Sequence, residues 1–240
     1  IDCDGSFIKN NKIEGLFYKY ALERSDCIIV QNEENKENLL RIHGLHSQVV
    51  KNGIDIEPFA IKLKRDFILW IGRSDYIKRP FLFLELAKKF PNHKFLMICS
   101  KNSKSIDIKL LKNESRKIKN LKLIIYVPFN KTARYFKKSK ILVNTSDYEG
   151  FPQTFLQAMT KCTPILSLNT NPDKFLDKYK CGYCANGDYD LMEKYLERLL
   201  KKDKERVKMG KNAFYYARKE HDIKKNIMKI KKCIIELSKK

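Results

Sequence analysis

Residues 143–158 read VNTSDYEGFPQTFLQA and carry the pattern that decides the fold. The apolar start predicts a buried strand, the acidic residues after it predict a tight turn, and the remainder has the spacing of an amphipathic helix. A strand that leads through a turn into a helix places polar side chains and backbone N–H donors at the carboxyl edge of a sheet. In α/β proteins, ligands bind at that edge.

Strands alternate with helices along most of the chain. Five apolar runs predict strands, at Phe67–Ile71, Lys94–Cys99, Leu121–Tyr126, Ile141–Thr145 and Pro164–Leu168. Segments with helical spacing lie between them. This alternation predicts right-handed βαβ units and an α/β fold, a Rossmann-like parallel sheet with helices on both faces. Unbroken apolar runs are typical of strands that are covered on both faces.

Three regions are predicted along the chain. Residues 1–56 contain a partial second α/β segment, residues 57–204 contain the Rossmann-like domain, and residues 205–240 form a helical tail. Pro58 lies in a stretch of mixed polarity without periodicity, which indicates a connection between the first two regions. Because the chain starts with Ile1 in mid-pattern, we expect a fragment of a longer protein.

The net charge of +22 is distributed unevenly. Residues 101–140 hold 13 basic residues against two acidic ones, and residues 201–240 hold 15 against five. A lysine-rich surface can simply be a solvated face, and it can also bind an anionic membrane or nucleic acid. Nucleic acid is the least favoured of these partners, because the basic stretches lack interleaved exposed aromatics and a recognition motif.

The tail predicts a basic amphipathic helix. Apolar residues recur at helical spacing with lysines between them, at Ile223, Ile227, Ile230, Ile234 and Leu237. Two interpretations stay open for this stripe. It can dock against the rest of the protein, or it can lie on an acidic membrane surface. The second interpretation predicts a peripheral protein at the inner face of a membrane.

The seven cysteines favour a reducing, cytoplasmic compartment, because their number is odd and they are scattered through apolar stretches. Cys181 and Cys184 form a lone C-x-x-C, for which a structural role is favoured, since no further ligands follow at metal spacing. No metal is predicted. Surface positions are expected for the four histidines, which are His43, His46, His93 and His221.

Two cations follow the first strand of the predicted sheet. Gly72 is expected to let the backbone turn sharply after this strand, which would place Arg73 and Lys78 at the carboxyl edge. An arginine fork together with a mobile lysine charge suits a pyrophosphate. A solvated loop in a lysine-rich protein is the alternative.

The turn after the later strand supplies complementary groups. Gly150 permits a close approach, and Pro152 suits a first helical turn, so that Gln153, Thr154 and Phe155 are expected to present unpaired N–H groups to an anion. Like charges repel, so Glu149 is expected to accept hydrogen bonds from sugar hydroxyls rather than to hold a phosphate. Its alternative role is to complement the helix dipole. Gln157 can bond ribose hydroxyls.

In this order and at these spacings, the motifs resemble the retaining, GT-B-fold glycosyltransferases of family 4, mainly their C-terminal donor-binding domain. The match covers roughly residues 26–217. Gly72-Arg73 through Lys78 is similar to the R-x4-K diphosphate clamp of that family. Tyr148-Glu149-Gly150-Phe151-Pro152 through Gln157-Ala158 is similar to its E-x7-E block.

The resemblance implies a role for each of these residues. Arg73 and Lys78 would hold the diphosphate of a nucleotide-sugar donor, assisted by backbone near Thr154 and Phe155. Glu149 would reach the donor sugar as the catalytic residue, and position 157 would meet the ribose. The donor site would further include the loop of Val127, Pro128 and Phe129, which is expected to border the base. It would also include Gly72, Gly150 and Phe151. The family needs no metal, because the cationic clamp stabilises the departing nucleoside diphosphate.

The sequence departs from the family pattern in two ways. Position 157 is Gln where the family usually has Glu, which removes a charge-assisted bond of roughly 1 kcal/mol. Most of the family's first domain is expected to lie upstream of Ile1. The chain is therefore predicted to be a fragment of a hexosyltransferase, an enzyme that transfers a sugar to a glycan or lipid-linked acceptor. An inactive interaction module on the same fold is the alternative.

Overall fold

The structure, a computed structural model, describes residues 12–57, 65–101 and 106–239. The chain divides into two compact units. The larger unit runs from Ile56 to Lys219, and the smaller unit joins the residues up to Asp55 with those from Glu220 onward. The boundaries predicted at residues 56 and 204 stay a prediction of domain organisation.

The first part of the smaller unit is a short α/β segment. Helix α1 (Lys12–Glu23) precedes strand β1 (Ile29–Val30), and helix α2 (Glu33–His43) precedes strand β2 (Gln48–Val49). The two strands pair in parallel. Asn32 caps α2, because its side chain accepts a hydrogen bond from the N–H of Asn35 at 2.7 Å. Gly44 ends this helix in the left-handed conformation, as the sequence predicts.

The larger unit is a six-stranded parallel sheet with helices between its strands. Its strands are β3 (Phe67–Arg73), β4 (Lys94–Ser100), β5 (Leu121–Ile125), β6 (Ser139–Asn144), β7 (Ile165–Ser167) and β8 (Gly182–Cys184). Its helices are α3 (Pro80–Lys89), α4 (Ile108–Arg116), α5 (Ala133–Lys138), α6 (Gln153–Thr160), α7 (Phe175–Lys178), α8 (Tyr189–Lys201) and α9 (Asp203–Glu220). The predicted Rossmann-like α/β fold is confirmed.

The order of the strands is β5-β4-β3-β6-β7-β8, and every neighbouring pair is parallel. The chain therefore moves outward from β3 to β5 and then returns to the other side of β3 with β6. In such a sheet, the crevice between the two strands where the direction reverses is the ligand-binding position. Here those two strands are β3 and β6.

A continuous apolar core supports the sheet. Its buried members include Phe83 of α3, Met97 of β4 and Leu111 of α4, which are each fully buried. Pro80 opens α3 at its first turn, as the sequence predicts. The sequence missed β8, and the helix predicted after Asn171 is only a 3-10 turn followed by the four residues of α7.

The last helix, α10 (Ile223–Leu237), belongs to the smaller unit. Just before this helix, Asp222 forms an isolated parallel β-bridge with Ile54. In this bridge, the N–H of Ile54 donates to the carbonyl of His221 at 2.8 Å. His221 itself is fully buried, and its Nδ1 lies 2.8 Å from the carbonyl oxygen of Asn52. The expectation of a surface position is therefore wrong for His221, because the backbone bridge draws it into the unit.

The buried face of α10 differs from its isoleucine stripe. Asn226 and Cys233 are the buried residues of this helix, and the Asn226 amide donates to the carbonyl of Lys51 at 2.9 Å. Ile227 and Ile234 remain 53% and 60% exposed. The interpretation of the stripe as the docking face is therefore wrong for these two residues. Across the described residues, every helix is too short or too polar to cross a bilayer.

Candidate functional site

The site lies where the loops after β3 and β6 meet. The ammonium group of Lys78, from the first loop, forms an ion pair with the carboxylate of Glu149, from the second. Both side chains are largely buried, with exposed fractions of 20% and 16%. Glu149 also accepts a hydrogen bond from Nδ2 of Asn144 at 2.7 Å. The structure thus brings together two predicted residues that lie 71 positions apart in the chain.

Hydrogen bonds fix the two loops to each other. Nε1 of Trp70 in β3 donates to Oγ1 of Thr145 at 2.9 Å, and that hydroxyl donates to the backbone carbonyl of Lys78 at 2.6 Å. The N–H of Asp147 donates to the carbonyl of Ile77 at 2.9 Å. The position of the Lys78 backbone is therefore set by the buried hydroxyl of Thr145, which directly follows β6 and is itself bonded to Trp70 of β3.

Gly72 leaves space for the indole ring of Trp70, which belongs to this network. It lies within β3, paired with Cys99 of β4, so the expectation of a turn at this residue is wrong. A Cβ atom at position 72 would lie 2.7 Å from the indole ring of Trp70. Glycine is required here because the ring covers the backbone, and this keeps Trp70 in reach of Thr145.

Arg73 ends β3 with its guanidinium directed to solvent. The side chain is 61% exposed, and Nη2 lies 3.7 Å from a carboxylate oxygen of Asp75. The two predicted cations thus differ in state: Lys78 is paired with Glu149 in a half-enclosed site, whereas Arg73 is accessible. A second, exposed ion pair joins Arg79 to Asp147 at 2.9 Å.

Helix α6 begins at Gln153, shortly after Glu149 in the chain. Pro152 precedes the first helical residue, and its side chain makes no capping hydrogen bond. Thr154 lies in the first turn. The N–H of Phe155 donates to the carbonyl of Pro152 at 3.0 Å, so the expectation that this N–H is unpaired is wrong. A tightened first turn of this kind is common at helix ends.

Two of the predicted site residues pack in the core. Phe151 and Phe155 are buried, with ring centroids 5.3 Å and 6.0 Å from that of Phe175 in α7. Their aromatic rings therefore anchor the start of α6 to α7. Gly150 lies between this apolar anchor and Glu149, in the loop that carries the carboxylate.

The loop of Val127, Pro128 and Phe129 follows β5, two strands away from β3 in the sheet. Phe129 is 70% exposed. The segment after it returns toward the site, because Nε2 of Gln157 in α6 donates to Oγ1 of Thr132 at 3.1 Å. Position 157 thus connects α6 to the loop predicted to border the base.

Sequence reasoning missed Asn144, Thr145 and Trp70. Asn144 and Thr145 are buried polar residues at the end of a predicted strand, and this was the signal available in the sequence. Buried polar side chains are normally hydrogen-bonded, so they indicate a network. Trp70 carries no such signal, since tryptophan is common in apolar strands.

The described residues contain no group of three or more side chains suited to a metal ion. Cys181 and Cys184 are both buried, and Cys184 lies in β8. Burial raises the pKa of the Cys181 thiol to about 12, which keeps it protonated. These are the properties of cysteines that pack in a core.

Structural comparison defines the class of the fold. The chain superposes on S. aureus TarM with a TM-score of 0.77 at 20% identity, covering 90% of this chain and 45% of that one. It superposes on sucrose-phosphate synthase from Thermosynechococcus elongatus with a TM-score of 0.82 at 17% identity, covering 97% and 63%. The fold is that of GT-B glycosyltransferases.

Sequence comparison defines the family. The model of the family described as glycosyl transferases group 1 matches residues 52–215, and the chain belongs to this family. An uncharacterized glycosyltransferase of Methanocaldococcus jannaschii is 26% identical over 238 residues. That alignment covers 97% of this chain but 66% of the relative, so the chain spans about two thirds of its length.

Proposed function

We propose that this chain supplies the donor-binding part of a retaining, metal-independent hexosyltransferase of family 4. The ligand is the nucleoside diphosphate portion of a nucleotide sugar, bound at the carboxyl ends of β3 and β6. The observation that carries the proposal is the Lys78–Glu149 ion pair between the loops after β3 and β6, at the position where the strand order reverses.

The diphosphate is bound by two cations of different kinds. Arg73 is accessible and offers a bidentate fork to one phosphoryl group. Lys78 offers a point charge, and its ion-pair partner is Glu149. When the diphosphate binds, its charge replaces the carboxylate as the partner of Lys78, and Glu149 becomes available to the donor sugar.

The remaining residues fix the nucleoside and the leaving group. Gln157 bonds the ribose hydroxyls, and the exposed ring of Phe129 borders the base. The backbone around Thr154 contributes the positive end of α6. Together with Arg73 and Lys78, it stabilises the negative charge that develops on the departing nucleoside diphosphate.

Two structural neighbours that bind UDP support the choice of ligand. S. aureus TarM is described in complex with Fondaparinux, alpha-GlcNAc-glycerol and UDP. The pneumococcal O-GlcNAc transferase GtfA is described in complex with UDP and GlcNAc. UDP is therefore the first nucleotide to test. A glycan or lipid-linked acceptor is proposed for the whole protein, which would act in polysaccharide biosynthesis.

The proposed location is cytoplasmic, at the periphery of a membrane. Helix α10 supports this because Ile227 and Ile234 are exposed on a helix whose charges are mostly lysines. Such helices lie in the interfacial region of anionic bilayers. Replacing both isoleucines with Gln is expected to reduce co-sedimentation with anionic vesicles. An unchanged sedimented fraction would remove this part of the proposal.

Calorimetry with UDP, GDP and ADP tests the donor site. At least one of them is expected to bind, and Arg73→Ala is expected to weaken it about tenfold or more, since it removes a charge-assisted contact. Arg116→Ala, which removes an exposed arginine from α4, is the matched control and is expected to have no effect. The proposal fails if no nucleotide binds at millimolar concentration, or if both variants lose affinity equally.

A further inference from the structure

A cavity lies at the edge of the sheet opposite to the proposed donor site. A groove of about 690 Å³ opens at the amino ends of β3, β4 and β5, beside α5. It exists because the connection from β5 to β6 has to pass β4 and β3, and α5 has only six residues. A helix of that length is about 9 Å long and leaves part of the sheet uncovered.

The floor of the groove is apolar. The side chains of Phe67 in β3, Leu96 in β4 and Ile124 in β5 line it, and the register of the three strands places them on the same face of the sheet. Strand β5 is the last strand in the sheet order. Within the described residues, no further strand pairs with the outer edge of β5.

The rim of the groove is strongly basic. Five cations and a single carboxylate line it, and Lys94 lies 3.1 Å from that carboxylate, Asp66. The other four pair with no carboxylate in the described part of the chain, and they are Lys119, Lys122, Arg134 and Lys138. By contrast, Lys117, just outside the groove, lies 2.6 Å from Glu114. A cleft lined by one sign of charge focuses its potential on a bound counter-ion.

Arg134 is held in one orientation at this rim. Nη2 donates to the hydroxyl oxygen of Tyr135 at 3.0 Å, and the guanidinium carbon lies 4.9 Å from the centre of that ring. A guanidinium fixed in this way loses less conformational freedom when it binds an oxyanion. The planar fork matches the geometry of a phosphate group.

We propose that this groove binds the phosphate headgroup of an anionic phospholipid, with the first part of the hydrocarbon chain on the apolar floor. Both halves of the groove are then used, the cations by the phosphodiester and the uncovered sheet by the chain. A free phosphorylated metabolite would leave the apolar floor in water. A single nucleic-acid strand would need exposed aromatic rings for stacking, and Tyr135 is half-buried.

The proposal is independent of the donor site, because the two sites lie at opposite edges of the sheet. It is tested by calorimetry with dihexanoyl phosphatidylglycerol below its critical micelle concentration. Inorganic pyrophosphate and dihexanoyl phosphatidylcholine are measured in parallel. The lipid assay needs no bilayer, so its outcome does not depend on α10 or on nucleotide binding.

The decisive variant is Lys122→Gln combined with Arg134→Gln. Two neutralised cations are expected to weaken binding of the anionic lipid about tenfold or more. The matched control neutralises Lys194 and Lys204, two exposed lysines of α8 and α9, and is expected to bind like the unmodified protein. Thermal melts of all three proteins verify that each one is folded.

Three results would overturn the proposal. The first is equal loss of affinity in the groove variant and the control, which would indicate a diffuse charge effect. The second is pyrophosphate binding that is as tight as that of the anionic lipid and is weakened to the same extent in the groove variant, which would indicate a free phosphate ligand in the groove rather than at the proposed donor site. The third is equal binding of the zwitterionic lipid, since the cations would then contribute nothing.

Discussion

Lys78 and Glu149 neutralise each other across the carboxyl edge of the sheet, from the loops after β3 and β6. Each side chain is largely buried, so neither charge is well solvated on its own. A ligand that takes one partner from the pair therefore changes the environment of the other. Under the proposed function, Lys78 would then bind the diphosphate while Glu149 accepts hydrogen bonds from the donor sugar.

Replacing Glu149 with Gln is expected to act differently on two ligands. Binding of the nucleoside diphosphate is expected to be kept or to rise by a few-fold, because Lys78 no longer has a carboxylate competing for it. Binding of the nucleotide sugar is expected to fall about tenfold relative to the diphosphate, because the sugar hydroxyls lose a charged acceptor. Calorimetry with both ligands measures the difference. Parallel changes for the two ligands would contradict a role at the sugar.

Replacing Thr145 with Val is expected to destabilise the loop after β3 that carries Lys78. The substitution keeps the shape but leaves the indole N–H of Trp70 and the carbonyl of Lys78 without their shared partner. The free energy of unfolding is expected to fall by roughly 1–3 kcal/mol, and nucleotide affinity is expected to fall several-fold.

A matched control for that variant is Thr160→Val. This substitution removes a buried hydroxyl in α6 that donates to the carbonyl of Gln157 at 3.0 Å. It is expected to change the unfolding free energy without lowering nucleotide affinity. If both variants lose affinity to the same extent, Thr145 contributes only to stability.

Replacing Gln157 with Glu is expected to raise nucleotide affinity. A carboxylate accepts stronger hydrogen bonds from ribose hydroxyls, and a gain of roughly 1 kcal/mol corresponds to about fivefold. The present donation from Gln157 to Thr132 would be lost, which moderates the gain.

The same charge change at Gln153, in the exposed first turn of α6, is expected to have the opposite sign. A carboxylate there would repel the diphosphate. Calorimetry on the two variants distinguishes a ribose contact from a general effect of charge. Weaker binding in both would argue against the ribose contact.

Stability is expected to decrease in mild acid because of His221. Burial lowers the pKa of this residue from 6.5 to about 4, so the folded protein holds it neutral. In the unfolded chain the imidazole is protonated at a higher pH. The contribution to stability is therefore complete above about pH 6.5 and is lost as the pH falls from there toward 4.

The expected slope is at most about 1.4 kcal/mol of unfolding free energy per pH unit in that window. Urea unfolding at several pH values measures it. His221→Gln is expected to flatten the profile, whereas His46→Gln, at an exposed position, is expected to leave it unchanged. An unaltered slope in the first variant would assign the pH dependence to other groups.

Much of the larger unit could be predicted from local pattern. The apolar runs and the helical spacing between them define βαβ units, and parallel connections can be closed in few ways. Strand β8 was not predicted from the sequence, because it has only three residues and one of them is a glycine. Gly182 has no room for a side chain, since a Cβ atom there would lie 1.8 Å from the carbonyl oxygen of Ile165. That requirement depends on a neighbouring strand and leaves no local pattern.

The buried side of helix α10 is a second feature that local sequence pattern does not predict. Its spacing correctly predicts an amphipathic helix, but the buried side of α10 is set by Asn226 and Cys233. These residues bury because their side chains bond to partners far away in the sequence, namely Lys51 and Gln48. Apolar periodicity identifies the most hydrophobic face of a helix, and it does not report such polar contacts.

The α/β class, the positions of Arg73, Lys78 and Glu149 near strand ends and the family resemblance could all be read from the sequence. These properties follow from local periodicity and turn chemistry. The contact of Lys78 with Glu149, the space that Gly72 leaves for Trp70 and the bond from Thr145 to the Lys78 backbone became visible in the folded chain. Such contacts join residues whose proximity depends on β3 and β6 pairing side by side, and no local pattern of either segment contains that distance.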